Sequence, residues 1–569
     1  MTTGKHKAAA SPQYDIASWA RYAADATWRW IETLDTLRQR ADDMQEHAAA
    51  GMPPLLHFEG EQIADARTFD PPCNYRLLRI TSCPHGMERH VRGGAVPVLV
   101  VDPRAGHGPG IGGFRRDSEV GMAMLEGHPT YFAVFDPEPV PGQTLSAVLD
   151  ALARFVDIVA QRHRKLAPIV YGNCQGGWAI AMALSHCDRQ ATLAVLNGSP
   201  LSYWAGDADA NPMRLAGGLL GGAWLAHLTA DLGNGRFDGA WLVQNFENLR
   251  PEEIWKKYRQ VFAQPERERE RFLEFERWWS GFYQLSREEM LSIVRDLFIG
   301  NRVELGEVRV NQDRCAADLT QLRTPLLIFC SKGDNITPPA QALGWLKTAF
   351  GSTEALVRAG QRIVYLQHEH VGHLGIFVSA AVALREHRAI LHHAAAIGAL
   401  APGLYEMKLQ DEPGKGDAPA RARFEPRAIE ELPFEARPEQ FGRVAELSVR
   451  LDELYSKWLS PLVRSLSNEE TAKWMRLWHP MRSSRLMWSG RYWPAMAVVP
   501  LWSQALRAAG WCDEQREANP WYRLEALAAD GVTTSIESAR RARDRGSEWA
   551  FQRLYDAPEP AAGATTARA

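Results

Sequence analysis

The stretch Leu166–His186, LAPIVYGNCQGGWAIAMALSH, constrains the chain more than any other. An apolar run, APIVYGN, ends in a tight glycine turn, and an apolar helical run, WAIAMALSH, follows at once. Gly172 and Gly176 stand two residues either side of Cys174. Glycines at those places let a strand and a helix approach closely while the residue between them sits exposed in a strained turn. Gly177 extends the close packing, and the helix aims its N-terminus at the turn, with the Gln175 N–H placed to meet an oxyanion. The pattern is a nucleophile elbow with cysteine at its apex. A cysteine at a strand end is ordinarily inert packing. The strand before and the helix after argue instead for Cys174 as a nucleophile, whereas Cys187 and Cys330 read as packing.

The surrounding chain alternates in the same way. AVPVLVVDPR, HPTYFAVFDP, ATLAVLNGSP, TPLLIFCSKGD and QRIVYLQHEHVGHLG contain apolar strands, and TLSAVLDALARFVDIVAQRHR reads as a helix. PPLLHFEG and NYRLLRI precede them as further strands. Fully apolar strands separated by helices predict a mostly parallel α/β sheet with helices on both faces. Residues 1–51 read as an N-terminal helical region, with apolar positions Ile16, Trp19, Ala23 and Ala26 recurring on one face. Residues 52–400 hold the sheet domain, interrupted at 201–322 by a helical, aromatic-rich insertion positioned to cap a site. Residues 401–440 are proline-rich and charged, which predicts a linker. Residues 441–555 read as a tryptophan-rich helical region, and residues 556–569 as a low-complexity, disordered tail.

Composition narrows the function classes. A formal net charge of −3 argues against nucleic acid or an anionic membrane as the main partner. Seven cysteines without a CxxC pair suit a reducing, cytoplasmic setting better than a disulfide framework. The start lacks a signal-peptide core, and no window approaches the roughly 20 apolar residues of a transmembrane segment. GPGIGG lacks the spacing of a nucleotide-binding turn, and no cofactor or metal is expected.

Two further motifs follow the elbow in the order nucleophile, acid, histidine, which is the order of an α/β-hydrolase fold. Asp334 lies just past a buried strand in SKGDNITPP, and His373 follows the last strand in VGHLGIF. His373 would take the thiol proton of Cys174, and Asp334 would orient the imidazole. His368 and His370 compete with His373, which Gly372 favours by freeing its backbone; Asp313 and Asp318 compete with Asp334 but follow no strand. The loop Arg104-Ala105-Gly106-His107 is expected to give a second oxyanion N–H or a substrate contact, although His107 also fits a solvated turn.

GNCQGGWAIAMAL, SKGDNITPP and VGHLGIF together resemble polyhydroxyalkanoate synthases, whose box carries cysteine within G-x-C-x-G-G. WWSGFYQLSREEMLSIVRDLFIGNRVELGEV is similar to the cap segment before the acid strand of that family. The resemblance covers roughly residues 95–390. It departs at DPRAGHGPGIGGFRRDSEVG, where synthases carry a tyrosine-leucine-aspartate run, and the 441–569 extension is not part of the synthase pattern. The resemblance implies an acyltransferase acting on 3-hydroxyacyl-CoA or a polyester chain, with CoA as a leaving group. It also implies a cytoplasmic or granule-associated protein, with a polymer granule surface, other polyhydroxyalkanoate-metabolism proteins or a second copy as partners. A thiolate exchanges readily with a thioester, which favours transfer. The alternatives are a depolymerase or thioesterase using the same triad, and a non-catalytic granule scaffold that would expose an outward-facing tryptophan patch.

Overall fold

The computed structural model describes residues 14–185, 191–206, 211–310, 315–410, 418–434 and 438–556. Cys187, Asp313 and the expected tail from 557 onward lie outside the described residues. The chain divides into two compact units. One comprises residues 1–51, 250–281 and 477–543, and the other 52–249, 282–476 and 544–569.

The larger unit is built on a ten-stranded sheet. Its strands are β1 (Glu59–Asp65), β2 (Tyr75–Ser82), β3 (Val98–Val101), β4 (Thr130–Phe135), β5 (Ile169–Asn173), β6 (Leu193–Asn197), β7 (Leu326–Ser331), β8 (Arg362–His368), β9 (Gly403–Gln410) and β10 (Arg421–Arg427). They lie in the order β1-β2-β4-β3-β5-β6-β7-β8-β9-β10. β1 and β2 run antiparallel, β2 joins β4 antiparallel, and every pair from β4 to β9 is parallel. The order and the antiparallel entry make this an α/β-hydrolase fold.

Every residue of β3 to β7 is buried, which is why these strands read as uninterrupted apolar runs. Register is tight across the centre: Val98 faces Ile169, and Asn173 faces Asn197. Leu149, Leu152 and Phe155, from the helix Leu145–Arg162, join Val170 and Ile180 in one apolar core.

Three expectations need correction. PPLLHF is not a strand; β1 begins at Glu59, because Pro53 and Pro54 bring no N–H to a ladder. Residues 401–440 are not a linker, since β9 and β10 complete the sheet as an antiparallel pair. Their charge belongs to an outer ladder, where Arg427 Nη2 lies 2.7 Å from both Glu406 and Glu425 carboxylates. Charge and a proline at an edge strand block further pairing, and Pro426 sits in β10. Nor is 201–322 a single cap. The helices Met213–Leu219, Trp224–Leu232 and Ala240–Leu249 stay in the larger unit, whereas residues 250–281 fall in the smaller one.

The smaller unit is helical. Its longest N-terminal element, Ile16–Ala49, is capped by Asp15, whose side chain accepts from Ser18 N at 2.7 Å. Ile16 and Trp19 are exposed, against the expected stripe; the buried face instead carries Trp28, Leu37 and Ala41. It also buries charge: Arg29 Nε lies 2.7 Å from Asp25, and Arg40 3.4 Å from Glu276. Those charged positions masked the buried face in the sequence. Residues 477–543 pack in this unit as well, so 441–555 does not form a body of its own.

Candidate active site

Cys174 follows β5 directly and has φ +48°, a left-handed conformation that costs a side-chain-bearing residue free energy. Two bonds hold it there. Its N–H donates to the Asn197 carbonyl at 2.8 Å, and its carbonyl accepts from Gly177 N at 3.0 Å. The flanking glycines are required by space. A Cβ on Gly172 would meet Gly177 Cα at 2.5 Å, and one on Gly176 would meet the Val101 carbonyl oxygen at 2.5 Å. Gln175 opens the helix Gln175–Ser185, so its N–H belongs to the first turn and has no partner within the helix.

Asp334 sits in the loop after β7, and both of its carboxylate oxygens are engaged. Oδ1 accepts from Ile336 N and Thr337 N, each at 2.8 Å, and Oδ2 lies 2.7 Å from His373 Nδ1. His373 opens the helix His373–Val378, and the Cys174 charge acts on its ring. With Nδ1 donating to Asp334, Nε2 is the nitrogen left for the thiol. Burial alone would push the imidazole down; the charges of Asp334 and Cys174 and the Asp334 hydrogen bond outweigh it and raise its pKa to about 10. Cys174, Asp334 and His373 are all buried.

The rivals stand apart from this arrangement. His368 Nδ1 accepts from His370 N and Val371 N, which spends the ring on shaping its own turn. Asp318 caps a short 3-10 turn through Thr320 N. Cys330 is fully buried, and burial pushes its thiol up, as packing requires.

The β3 loop divides its expected roles. Arg104 is not a substrate contact: its Nη2 donates to Glu289 at 2.8 Å, its Nη1 to Asn74 at 3.2 Å, and its guanidinium lies 4.9 Å from the Phe135 ring centroid. A guanidinium this deeply buried needs its counter-charge, and Glu289 consumes it. Ala105 follows in the loop, buried, with only backbone to offer. His107 is not a solvated turn residue; it is buried and forms a β-bridge with Phe282. Burial lowers its pKa to about 4, the Gly108 carbonyl opposes that, and the His373 charge adds to it. His107 is therefore a neutral ring within electrostatic reach of His373.

A buried polar floor beneath the elbow went unread in the sequence. Asn173, which precedes Cys174, donates through Nδ2 to Glu119 Oε2 at 2.5 Å and Asp102 Oδ1 at 3.2 Å. Asn197 Nδ2 donates to Glu119 Oε1 at 2.7 Å, and Asp102 takes Gly110 N and Gly112 N at 2.6 and 3.1 Å. Burial raises Glu119 to about 8, helped by the Asp102 charge, and raises Asp102 to about 6 against its hydrogen bonds. Asp102 at the end of an apolar strand was a usable signal; Glu119 gave none.

Cys174 and Gln175 form part of the wall of a cavity of about 490 Å³, otherwise lined largely by apolar side chains such as Leu225, Phe246, Met290 and Phe298. Tyr203 also lines it, and both burial and the Cys174 charge push its hydroxyl well above the usual range. A larger hollow of about 1090 Å³ elsewhere in the same unit is bordered by Arg295, Asp296, Arg302, Asp452 and Lys457, and includes none of Cys174, Asp334 or His373. Among the described residues no group of three His, Cys, Asp or Glu is placed to hold a metal ion.

Solved structures similar to this chain include an esterase from Thermogutta terrifontis at 15% identity and TM-score 0.30, covering 59% of this chain and 99% of that one. An α/β-fold family hydrolase from Bacillus anthracis shows 9% identity and TM-score 0.32, with 59% and 99% covered. At such values neither carries an inference about chemistry. A Rhizobium meliloti relative, described as "Uncharacterized protein in ackA 5'region", is 40% identical over 558 residues, spanning 94% of this chain and 74% of the relative. Residues 25–569 match the family described as "Protein of unknown function (DUF3141)", and the chain belongs to that family.

Proposed function

We propose that the chain is a cysteine-dependent acyltransferase that takes an apolar acyl group, of the 3-hydroxyacyl class, from a CoA thioester and passes it to a hydroxyl acceptor. The observation that carries the reading is His373, bonded to Asp334 and under the influence of the Cys174 charge, with Cys174 in the wall of an apolar cavity. His373 Nε2 takes the thiol proton, and Sγ attacks the thioester carbonyl carbon. The N–H groups of Gln175 and Ala105 meet the oxyanion. The C–S bond to CoA breaks, and the CoA sulfur leaves with the proton from His373. In the second half His373 removes the proton of the acceptor hydroxyl, whose oxygen attacks the Cys174 thioester and releases Sγ. Sulfur suits this cycle because nucleophile and leaving group have similar basicity, so the acyl-enzyme is not a deep trap. The Tyr203 hydroxyl is available to a hydroxyl on the bound chain.

The test is purified protein with a series of 3-hydroxyacyl-CoA substrates, following CoA release and product, beside Cys174→Ala. Each methylene entering the cavity is worth ~0.8 kcal/mol, so kcat/KM is expected to rise about fourfold per methylene until the cavity is filled. Ester product with no release by Cys174→Ala supports transfer. Free hydroxy acid as the sole product assigns the same triad to hydrolysis, and no release from any acyl-CoA refutes the reading.

A further inference from the structure

We infer that the helical run Leu454–Trp474 is a docking surface for an anionic lipid bilayer. The run belongs to the larger unit, and its inner side is fixed there. Ser448 Oγ accepts from Ala223 N at 3.0 Å, Asp452 lies 2.9 Å from His227 Nδ1, and the Tyr455 hydroxyl donates to Asp231 at 3.0 Å. The outer side carries Leu454, Trp458, Leu459, Leu462 and Leu466, all more than half exposed, with Trp458 at 67% and Leu466 at 70%. Leu454 ends one α-helix, Tyr455–Leu459 is a π-helical turn and Ser460–Leu466 is α-helical, and these side chains all face outward along that segment. Trp474, in the next helix Glu469–Trp478, is 57% exposed. Large apolar side chains concentrated in this way mark an interaction site, unlike single exposed leucines.

The charge around these side chains selects the occupant. From Tyr455 to Asn468 the chain carries Lys457 and Arg464 and no acidic residue. Lys457 Nζ lies 5.4 Å from the Trp458 ring centroid. Among the described residues, Lys457, Arg464 and Lys473 are paired with no carboxylate. Glu469, by contrast, is held by Arg236 and Arg476. Across the run Leu454–Trp474 the cations are Lys457, Arg464 and Lys473 against Glu469 and Glu470, in a chain whose net charge is −3. Tryptophan and leucine flanked by lysine and arginine fit the headgroup level of an anionic bilayer, where the rings bury their apolar bodies and the cations meet phosphate. A neutral polyester surface offers the cations nothing. A twofold contact between two copies would place like charges together. No described helix is long and apolar enough to cross a membrane, so the binding is interfacial.

The test is co-sedimentation of the intact protein with vesicles of phosphatidylcholine alone and of phosphatidylcholine mixed equally with phosphatidylglycerol. Parallel arms use polyhydroxybutyrate particles and sedimentation velocity without lipid. The protein is expected to bind the anionic vesicles with a blue shift of tryptophan emission, and added salt is expected to weaken the binding. The double variant Trp458→Ser/Leu462→Ser is expected to bind at least about tenfold more weakly, the change that losing two buried side chains implies. Lys457→Glu/Arg464→Glu is expected to lose the preference for anionic over neutral vesicles. Unchanged thermal melting shows that these surface variants fold. Equal vesicle binding by the wild type and the serine variant overturns the inference. So does absence of binding, retention on polyester particles that survives charge reversal, or a dimer that the serine variant disrupts without any vesicle binding. Cys174→Ala should bind vesicles as the wild type does, so the surface and the proposed chemistry stand or fall separately.

Discussion

Replacing Asp334 by asparagine removes one charge and little volume, at a contact of 2.7 Å to His373. Oδ1 can still accept from Ile336 and Thr337, so the loop keeps its shape. The altered group is the one facing Nδ1, where an amide NH2 would meet a ring N–H and push the proton to Nε2, the nitrogen that must take the thiol proton. The rise of His373 from 6.5 to about 10 amounts to roughly 5 kcal/mol in favour of the imidazolium, net of burial and shared with Cys174. If Asp334 supplies about half, the loss is roughly 2–3 kcal/mol, or 30- to 150-fold in the acylation rate, and the tautomer change adds to it. Single-turnover CoA release from a 3-hydroxyacyl-CoA measures that rate. Stability gives a second readout. Because the folded pKa of His373 is raised, its stabilisation is full below about pH 6.5 and is lost as pH rises towards about 10. The gap in unfolding free energy between wild type and Asp334→Asn should therefore narrow across that window. Acylation within threefold of wild type, together with a gap that does not narrow, would refute the assigned role of Asp334.

Two other perturbations probe the scaffold. Glu119→Gln should lose about 1–3 kcal/mol at acidic pH, because its amide NH2 meets the Asn173 or Asn197 donor. The raised pKa of Glu119 means that wild type loses stability as pH rises from about 4.5 to about 8, so urea titrations should show the two curves converging across that window. Arg104→Ala should destabilise by about 3–5 kcal/mol by stranding the Glu289 charge, whereas Arg104→Met/Glu289→Leu should recover most of that in thermal melts, since neither charge remains buried alone.

The parts of the fold legible in the sequence were those where one physical pattern dominated. β3 to β7 are buried on both faces and therefore read as apolar runs, and the elbow was visible because only glycine fits at 172 and 176. Asp334 and His373 were legible from their positions just past strands, and the contact between them agrees with that placement. Where polar groups are buried, the pattern misled. β9 and β10 looked like a linker because edge-strand charges resemble a solvated loop, and Ile16 and Trp19 looked like a core face because Asp25, Arg29 and Arg40 are what the helix buries. Arg104 looked like a ligand group because its partner Glu289 lies 185 residues away in sequence. The same distance effect hid the floor of Asp102, Glu119, Asn173 and Asn197, which meet only when four separate segments converge beneath Cys174.

The most direct measurement of the central claim is intact-mass spectrometry of the protein quenched in acid during turnover of a 3-hydroxyacyl-CoA, followed by peptide mapping. One acyl increment is expected on Cys174, cleaved by neutral hydroxylamine, absent from Cys174→Ala, and accumulating when no hydroxyl acceptor is supplied. CoA release at the wild-type rate from Cys174→Ala, or an acyl group mapped to another residue, would contradict it.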